Sequence, residues 1–297
     1  MKQIARPLHR LLATALGASA VLAGTSALAE VRLSVQDRDV ARTISLGGSC
    51  NRCELSGRNL SGATFNGATF ISATLVGSNL RGAEMVGSNF SSSDFTHADM
   101  RGAEINGANF TASVFVDTSL SGASSAGAIF SRANFSRANL SGAELMYVNM
   151  NGAVLVDANL TGAELMGATL ANVSARNASF IGAEMQASNM GGGDFSNANF
   201  QDAEMDNARF TGAVFGRANF AGASLRRVDI RGVDLSRSRG LTQSQVAEAC
   251  GDDNTRLPGS LRATPCRSRM MVVRPAVPRP PAAPAPPSIV RHYAAAD

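Results

Sequence analysis

A bulky apolar side chain falls on nearly every fifth position from Leu55 to Leu235. The run passes through Leu60, Phe65, Phe70, Leu75 and Leu80 and continues in phase to Phe220, Leu225, Ile230 and Leu235. Two residues before each stands a small one, usually Ala. A period of five fits neither the 3.6 of a helix nor the 2 of a strand, so each unit must turn a corner rather than prolong a regular element. A second period lies over the first. Glu recurs at Glu84, Glu104, Glu144, Glu164, Glu184 and Glu204, interrupted only by Ser124, with Gly82, Gly102, Gly142, Gly162, Gly182 and Asp202 two residues before them. Twenty residues per turn means four five-residue sides, with the Glu side chains in one file about 4.8 Å apart if coils stack at sheet spacing. No Pro occurs between Arg10 and Pro258, which suits a backbone whose N–H groups bond between coils.

Stretches such as Ala133-Asn134-Phe135-Ser136-Arg137, Ala138-Asn139-Leu140-Ser141-Gly142 and Ala198-Asn199-Phe200 follow the pattern A-[D/N]-L-x-x. The chain thus resembles the pentapeptide-repeat family, with about 37 consecutive units in phase. The resemblance implies an all-β fold, a right-handed quadrilateral β-helix whose bulky residue and preceding small residue point inward while the other three point out. About nine coils at about 4.8 Å make a rod of roughly 43 Å. A core filled by its own side chains predicts no cavity for a small substrate. Ser125 and Ala175 occupy bulky slots, and Val148, Val173, Val228 and Val233 occupy small ones. Those positions are expected to carry a bend or a looser core.

The flanks divide the chain further. Residues 1–29 read as a signal peptide: a basic start at Lys2, Arg6 and Arg10, an apolar middle, and Ala27-Leu28-Ala29 as the site after which cleavage is expected. An uncleaved anchor fits less well, since the middle is short and softened by Gly, Ser and Thr. Residues 30–52 read as an N-terminal cap segment that covers the first open coil. The repeat body is 53–240. Residues 241–266 read as a C-terminal cap, with Thr242 and Gln245 as a capping box, Leu241 and Val246 as its staple, a short helix from Gln243 to Cys250, and Gly251 as its stop. This cap also resembles the terminal segment of exported members of the family. Residues 267–297 are rich in Pro, Ala and Arg and are expected to be disordered. Composition favours a solvated end there over a docking tail for an acidic partner or envelope surface.

Charge is uneven. The formal net charge is +4, yet residues 30–236 hold 15 Arg against 19 acids while 237–297 hold 9 Arg against 4 acids. The four cysteines lie in two pairs, Cys50 with Cys53 and Cys250 with Cys266, near the ends of the repeat body. A zinc site shared by both pairs would have to bridge a rod on the order of 40 Å, and no βαβ context supports a thioredoxin-type motif. In an oxidising compartment two disulfide staples fit better, although Cys53 occupies an inward slot and also suits a buried thiol.

No Ser/His/Asp, Cys/His or HExxH arrangement is present, and His97 and Tyr147 read as isolated outward residues, so neither catalysis nor a cofactor or metal site is expected. The Asn-x-Ser/Thr triplets follow from the repeat itself. The Glu file could take cations or a basic partner, and exposed charges also need no partner at all. The sequence therefore predicts a non-enzymatic, exported, periplasmic or secreted scaffold that presents flat faces to a protein, with the Glu file as candidate face. Some members of the family that it resembles imitate DNA and act on DNA gyrase. Duplex DNA carries one charge per about 1.7 Å, so a rod of about 43 Å would need on the order of 25 negative charges, far beyond this body, and nucleic-acid-like behaviour is not expected.

Overall fold

The computed structural model describes residues 48–266. The leader 1–29, residues 30–47 of the cap segment and the tail 267–297 lie outside the described residues. Each side of the coil is too short to form a strand of its own. One residue per side pairs in parallel with the residue twenty positions on, from Ser49 with Thr69 through Asn219 with Arg239, except that Val214 and Asp234 do not pair.

The corner between two sides explains why. At every fifth residue from Arg52 to Gly232 the backbone holds φ between 56° and 71°. The turn Phe70–Ala73 is representative: Ser72 sits third with φ of 56°, and the Ala73 N–H donates to the Phe70 carbonyl at 3.2 Å. Positive φ at the third residue is the type II pattern, which favours Gly or Asn there. Gly142 meets the demand without a Cβ penalty, and nothing lies within 4 Å of where its Cβ would be.

All five backbone N–H groups of a unit can be followed. Leu60 N–H donates to Asn79 carbonyl at 2.7 Å and Gly62 N–H to Arg81 carbonyl at 2.9 Å, both on the next coil. Asn79 N–H donates back to Arg58 carbonyl at 2.9 Å, and Ala63 N–H closes the turn on Leu60 carbonyl at 3.1 Å. The fifth, at the first corner position, has no backbone acceptor. In the Asn and Asp units a side chain takes it: Thr96 N–H donates to Asp94 Oδ1 at 2.9 Å and Ser136 N–H to Asn134 Oδ1 at 3.0 Å. This local cap is the physical reason for the Asn or Asp in the repeat, since a short side-chain carbonyl reaches the N–H two residues on.

Inward, the bulky positions stack by type. Phe70, Phe90, Phe110 and Phe130 form a file with centroids 4.6, 5.6 and 5.3 Å apart, and Phe95, Phe115 and Phe135 a second with 5.0 and 4.6 Å. The two files meet edge to face, as at Phe110 and Phe115, 5.4 Å apart. Stacking within a file and edge contacts between files satisfy both preferred aromatic geometries. Hydroxyls in the core bond to backbone: Ser93 Oγ donates to Phe70 carbonyl at 2.6 Å and Thr118 Oγ1 to Phe95 carbonyl at 2.6 Å.

The expected bend at irregular slots is not what forms. Ser125 stays buried, with its hydroxyl donating to Glu144 carbonyl at 2.9 Å, and the pairing of Ser124 with Glu144 and of Ser174 with Asp194 is uninterrupted. Loosening shows beside Val233, where Val214 and Asp234 do not pair, and at Val173, where the turn bond to Leu170 is missing. The neighbouring coil compensates. Gly193 occupies the small slot above Val173, and Phe195 fills the space that Gly193 and Ala175 leave.

After Arg239 the register drifts: Asp229 pairs with Cys250 and Asp234 with Arg256. Helix α1, Gln243–Glu248, carries the full capping box, with Gln245 N–H on Thr242 Oγ1 at 3.3 Å and Thr242 N–H on Gln245 Oε1 at 2.7 Å. It ends two residues before the expected Cys250. Ala249 turns extended, and Cys250 is drawn into pairing, its N–H on Val228 carbonyl at 2.8 Å. Gly251 is therefore not the stop but part of a pairing with Pro265.

One corner is a polar ladder. His97, Asp117, Arg137, Asp157, Asn177 and Asn197 all hold positive φ, one above another. Arg137 Nη2 bonds Asp117 Oδ2 at 2.7 Å, His97 Nδ1 stands 3.9 Å from that same oxygen, and Asn177 Nδ2 donates to Asp157 Oδ1 at 3.0 Å. His97 is not the isolated residue that the sequence suggested. Hydrogen bonds from Arg101, Arg137 and Arg231 hold the carboxyls of Asp99, Asp117 and Asp229 below their ordinary value.

Two outcomes follow. Gly193 does not require positive φ, but a Cβ there would stand 2.6 Å from Phe195 Cε2 and 3.2 Å from Val173 Cγ2. Gly193→Ala should therefore cost about 1–3 kcal/mol of stability. Urea unfolding followed by circular dichroism checks this, and an unchanged midpoint would show that the ring has room to move. The depressed aspartates stabilise the fold above the unfolded carboxyl value of about 3.9 and cease to do so as pH falls through their lower folded values. The urea midpoint should hold level from about pH 8 to about pH 5 and decline below about pH 4, with a shallower decline in an Asp99→Asn, Asp229→Asn double variant.

Candidate interaction face

The twenty-residue spacing brings the predicted Glu residues into one file. Glu84 pairs with Glu104, Ser124 continues the file to Glu144, and Glu144, Glu164, Glu184 and Glu204 follow on successive coils. Glu104, Glu144, Glu184 and Glu204 are exposed, while Glu84 and Glu164 are half-buried. Two of these carboxylates are engaged across the adjoining corner: Asn66 Nδ2 donates to Glu84 Oε2 at 3.2 Å and Gln186 Nε2 to Glu204 Oε2 at 2.7 Å.

This face differs from the others in its capping. Glu is one methylene longer than Asp, and a Glu caps its own corner N–H only at Glu54, which accepts from Ser56 N–H at 2.9 Å. Along the file the carboxylates stay free of that duty. The corner N–H groups of Met146, Met166, Gln186 and Asp206, four coils in succession, have no protein acceptor among the described residues. The other three edges have at most two such coils in a row. The same edge is the apolar one. Val86 is 39% exposed, Met166 36% and Tyr147 66%. Tyr147 is not isolated either: its ring lies over Gly167, where a Cβ would stand 2.6 Å from Cδ1. Sequence reasoning found the file but missed the edge. The signal was there, because Met146 and Met166 share the twenty-residue spacing two positions after the Glu residues.

At the ends of the described repeat, Cys50 and Cys53 are joined as a disulfide with Cα atoms 5.4 Å apart, and Cys250 and Cys266 with Cα atoms 4.5 Å apart. The second bridge fastens residues 264–266 to the pairing of Gly251 with Pro265, where Gly251 N–H bonds Thr264 carbonyl at 2.8 Å. Among the described residues no group of three or more His, Cys, Asp or Glu is placed to hold a metal ion, and no helix is long and apolar enough to cross a membrane. The surface hollows are shallow; one is lined by Asp206, Asn207, Arg226 and Arg227, where Arg226 Nε bonds Asp206 Oδ2 at 2.7 Å.

Comparison with known proteins places this coil. A pentapeptide repeat region model matches residues 49–124, and a model of pentapeptide repeats in eight copies matches 113–152, 163–202 and 203–239. No curated protein sequence matches the chain. Similar solved structures include HetL, a pentapeptide repeat protein involved in heterocyst differentiation regulation from the cyanobacterium Nostoc, at 20% identity over 75% of this chain and 99% of that chain, with a TM-score of 0.48. Full-length QnrB1, a plasmid-mediated fluoroquinolone resistance protein, is 20% identical over 69% of this chain and 94% of that chain, with a TM-score of 0.28. Rfr23 from the cyanobacterium Cyanothece is 17% identical over 60% and 98%, with a TM-score of 0.18. The two family models together span more than half of the chain and coincide with the five-residue coil, and the protein belongs to the pentapeptide-repeat family of β-helices.

Proposed function

We propose that this protein is an exported, non-enzymatic scaffold of about nine coils, closed at its carboxy end by residues 241–266, that binds a protein partner through its Glu face. The observation that carries the reading is the coincidence on one side of a carboxylate file that does not cap its own corners, an exposed Tyr and Met edge and four uncapped backbone donors. Each of these is ordinary alone. Together they offer a partner charge, apolar area and hydrogen bonds along one edge, the ingredients of a protein interface. The paired cysteines, with none free among the described residues, support an oxidising compartment and thus export. Imitation of DNA is the weaker reading, since one Glu per coil gives a charge about every 4.8 Å against about 1.7 Å in the duplex.

A photo-reactive side chain at Glu144, Glu164 or Glu184 should crosslink a partner in intact cells that the same group at Val114 or Val154, on the opposite face, does not reach. Equal capture from both faces would remove the face reading, and protection or inhibition of gyrase supercoiling by purified protein at low micromolar concentration would favour DNA imitation instead. Export has its own check: the mass of the protein recovered from cells should correspond to a chain that begins at Glu30, and a retained leader would count against it.

A further inference from the structure

Of the eight methionines among the described residues, six point inward and are fully buried: Met85, Met100, Met150, Met185, Met190 and Met205. The other two, Met146 and Met166, point outward, and both stand on the edge beside the Glu file, at equivalent corners one coil apart. Met166 is 36% exposed and Met146 half-buried. A thioether that solvent reaches is open to oxidation to the sulfoxide, whereas a packed core shields its sulfur. The rod thus holds its methionines in two classes, and the reactive pair shares a single edge.

Lower on the same edge, Asn occupies the position that the methionines hold. Asn66 Oδ1 accepts the Val86 N–H at 2.8 Å and Asn106 Oδ1 accepts the Ala126 N–H at 2.7 Å, each bond reaching one coil on. A thioether sulfur is only a weak acceptor, and the corresponding N–H groups of Met166 and Gln186 have no protein acceptor among the described residues. A sulfoxide is polar and carries an oxygen that accepts hydrogen bonds. That oxygen stands one bond farther from the backbone than the Asn oxygen, on an unbranched and flexible stem. Oxidation therefore supplies these two corners with the acceptor that Asn66 and Asn106 supply to theirs.

We infer that Met146 and Met166 form a peroxide-sensitive modification site that closes this edge. Each sulfur uses a lone pair to take one oxygen of hydrogen peroxide; the O–O bond breaks, and the departing hydroxide takes up the proton released from the transferred oxygen and leaves as water. Sulfur is oxidised by two electrons and the peroxide is reduced by two. The oxygen on residue 146 then accepts the Met166 N–H, and the oxygen on residue 166 accepts the Gln186 N–H. Two of the four open donors are capped and the strip beside Tyr147 turns polar, so a partner that needs donors and apolar surface together loses its seat. A methionine sulfoxide reductase restores the open edge. The inference rests on the reading of this side as an interaction face and adds its regulation.

The test uses the full chain with Met270→Leu and Met271→Leu, which leaves Met1 as the only methionine outside the described residues. After brief treatment with dilute hydrogen peroxide, peptide mass mapping should find one added oxygen on Met166 and on Met146 and none on the six core methionines. In the oxidised protein the amide exchange of Met166 and Gln186, followed by NMR, should slow about fivefold. The amides of Met146 and Asp206, which have no methionine at the corner one coil below, should not change. Oxygen on Met150 or Met185 as early as on Met166 would overturn the site, and unchanged exchange at Met166 and Gln186 with both sulfoxides in place would overturn the capping. Capture of a partner by the photo-reactive group at Glu164 should fall several-fold in peroxide-treated cells and persist in a Met146→Leu, Met166→Leu variant under the same treatment. Equal loss in both would place the effect elsewhere and overturn the regulation. If the photo-reactive group captures nothing before treatment, the interaction-face reading fails, and mapping and exchange still decide for or against the methionine site.

Discussion

A chain whose sides are five residues long can keep turning only if one residue at each corner reverses its backbone into the left-handed region. That demand recurs from Arg52 to Gly232 without a gap. Left-handed backbone is costly for any residue with a Cβ, yet eighteen of these corners are held by Arg, Ser, His, Ala, Asp, Tyr or Asn. What holds them is the next coil. The corner residue's N–H bonds a carbonyl there, as Tyr147 does to Met166 at 2.9 Å and Asn197 to Gly216 at 2.7 Å. Local strain is thus offset by stacking, and a lone coil would have no such compensation.

Once the corners are set, the remaining chemistry sorts itself by file. Inward positions see only their equivalents above and below, which is why phenylalanines gather in continuous stacks and why a misfit such as Val173 is answered by Gly193 on the neighbouring coil. Outward positions see an orphan N–H two residues on. Asn and Asp satisfy it, and those faces become closed hydrogen-bonded surfaces with little left to offer. From Glu144 to Glu204 the carboxylate does not cap its own corner, and the N–H groups of Met146, Met166, Gln186 and Asp206 find no protein acceptor among the described residues, whereas at Val86 the Asn66 side chain takes the N–H. Over those four coils the file leaves a carboxylate and a backbone donor side by side. The polar corner ladder through Asp117 and Arg137 lies diagonally across from this edge and is occupied with itself.

Much of the architecture was legible because a solenoid turns long-range contacts into a fixed sequence offset. The five-residue rhythm specified which side chains point inward, and the twenty-residue Glu spacing specified which of them stack. Thr242 and Gln245 announced the start of the terminal helix through a purely local hydrogen-bond pair. Its end was not legible, since Cys250 leaves the helix to bond the Val228 carbonyl and pair with Asp229, residues that no local rule connects to it. His97 and Tyr147 read as isolated for a similar reason: each meets its neighbour, Asp117 or Gly167, only one coil away.

The sequence by itself determined the period, the inward and outward positions and the number of sides, because each depends on spacing along the chain and on the size of the side chain at a slot. Only the tertiary structure decided which corner donors are satisfied, which irregular slots are absorbed and which edge is left chemically open. Those outcomes depend on whether an atom on one coil reaches an atom on the next, a matter of tenths of an ångström that periodicity does not encode. The Glu file was visible as letters; that its carboxylates leave their own corners uncapped, and that four donors in succession beside them find no protein acceptor among the described residues, required the stacked coils.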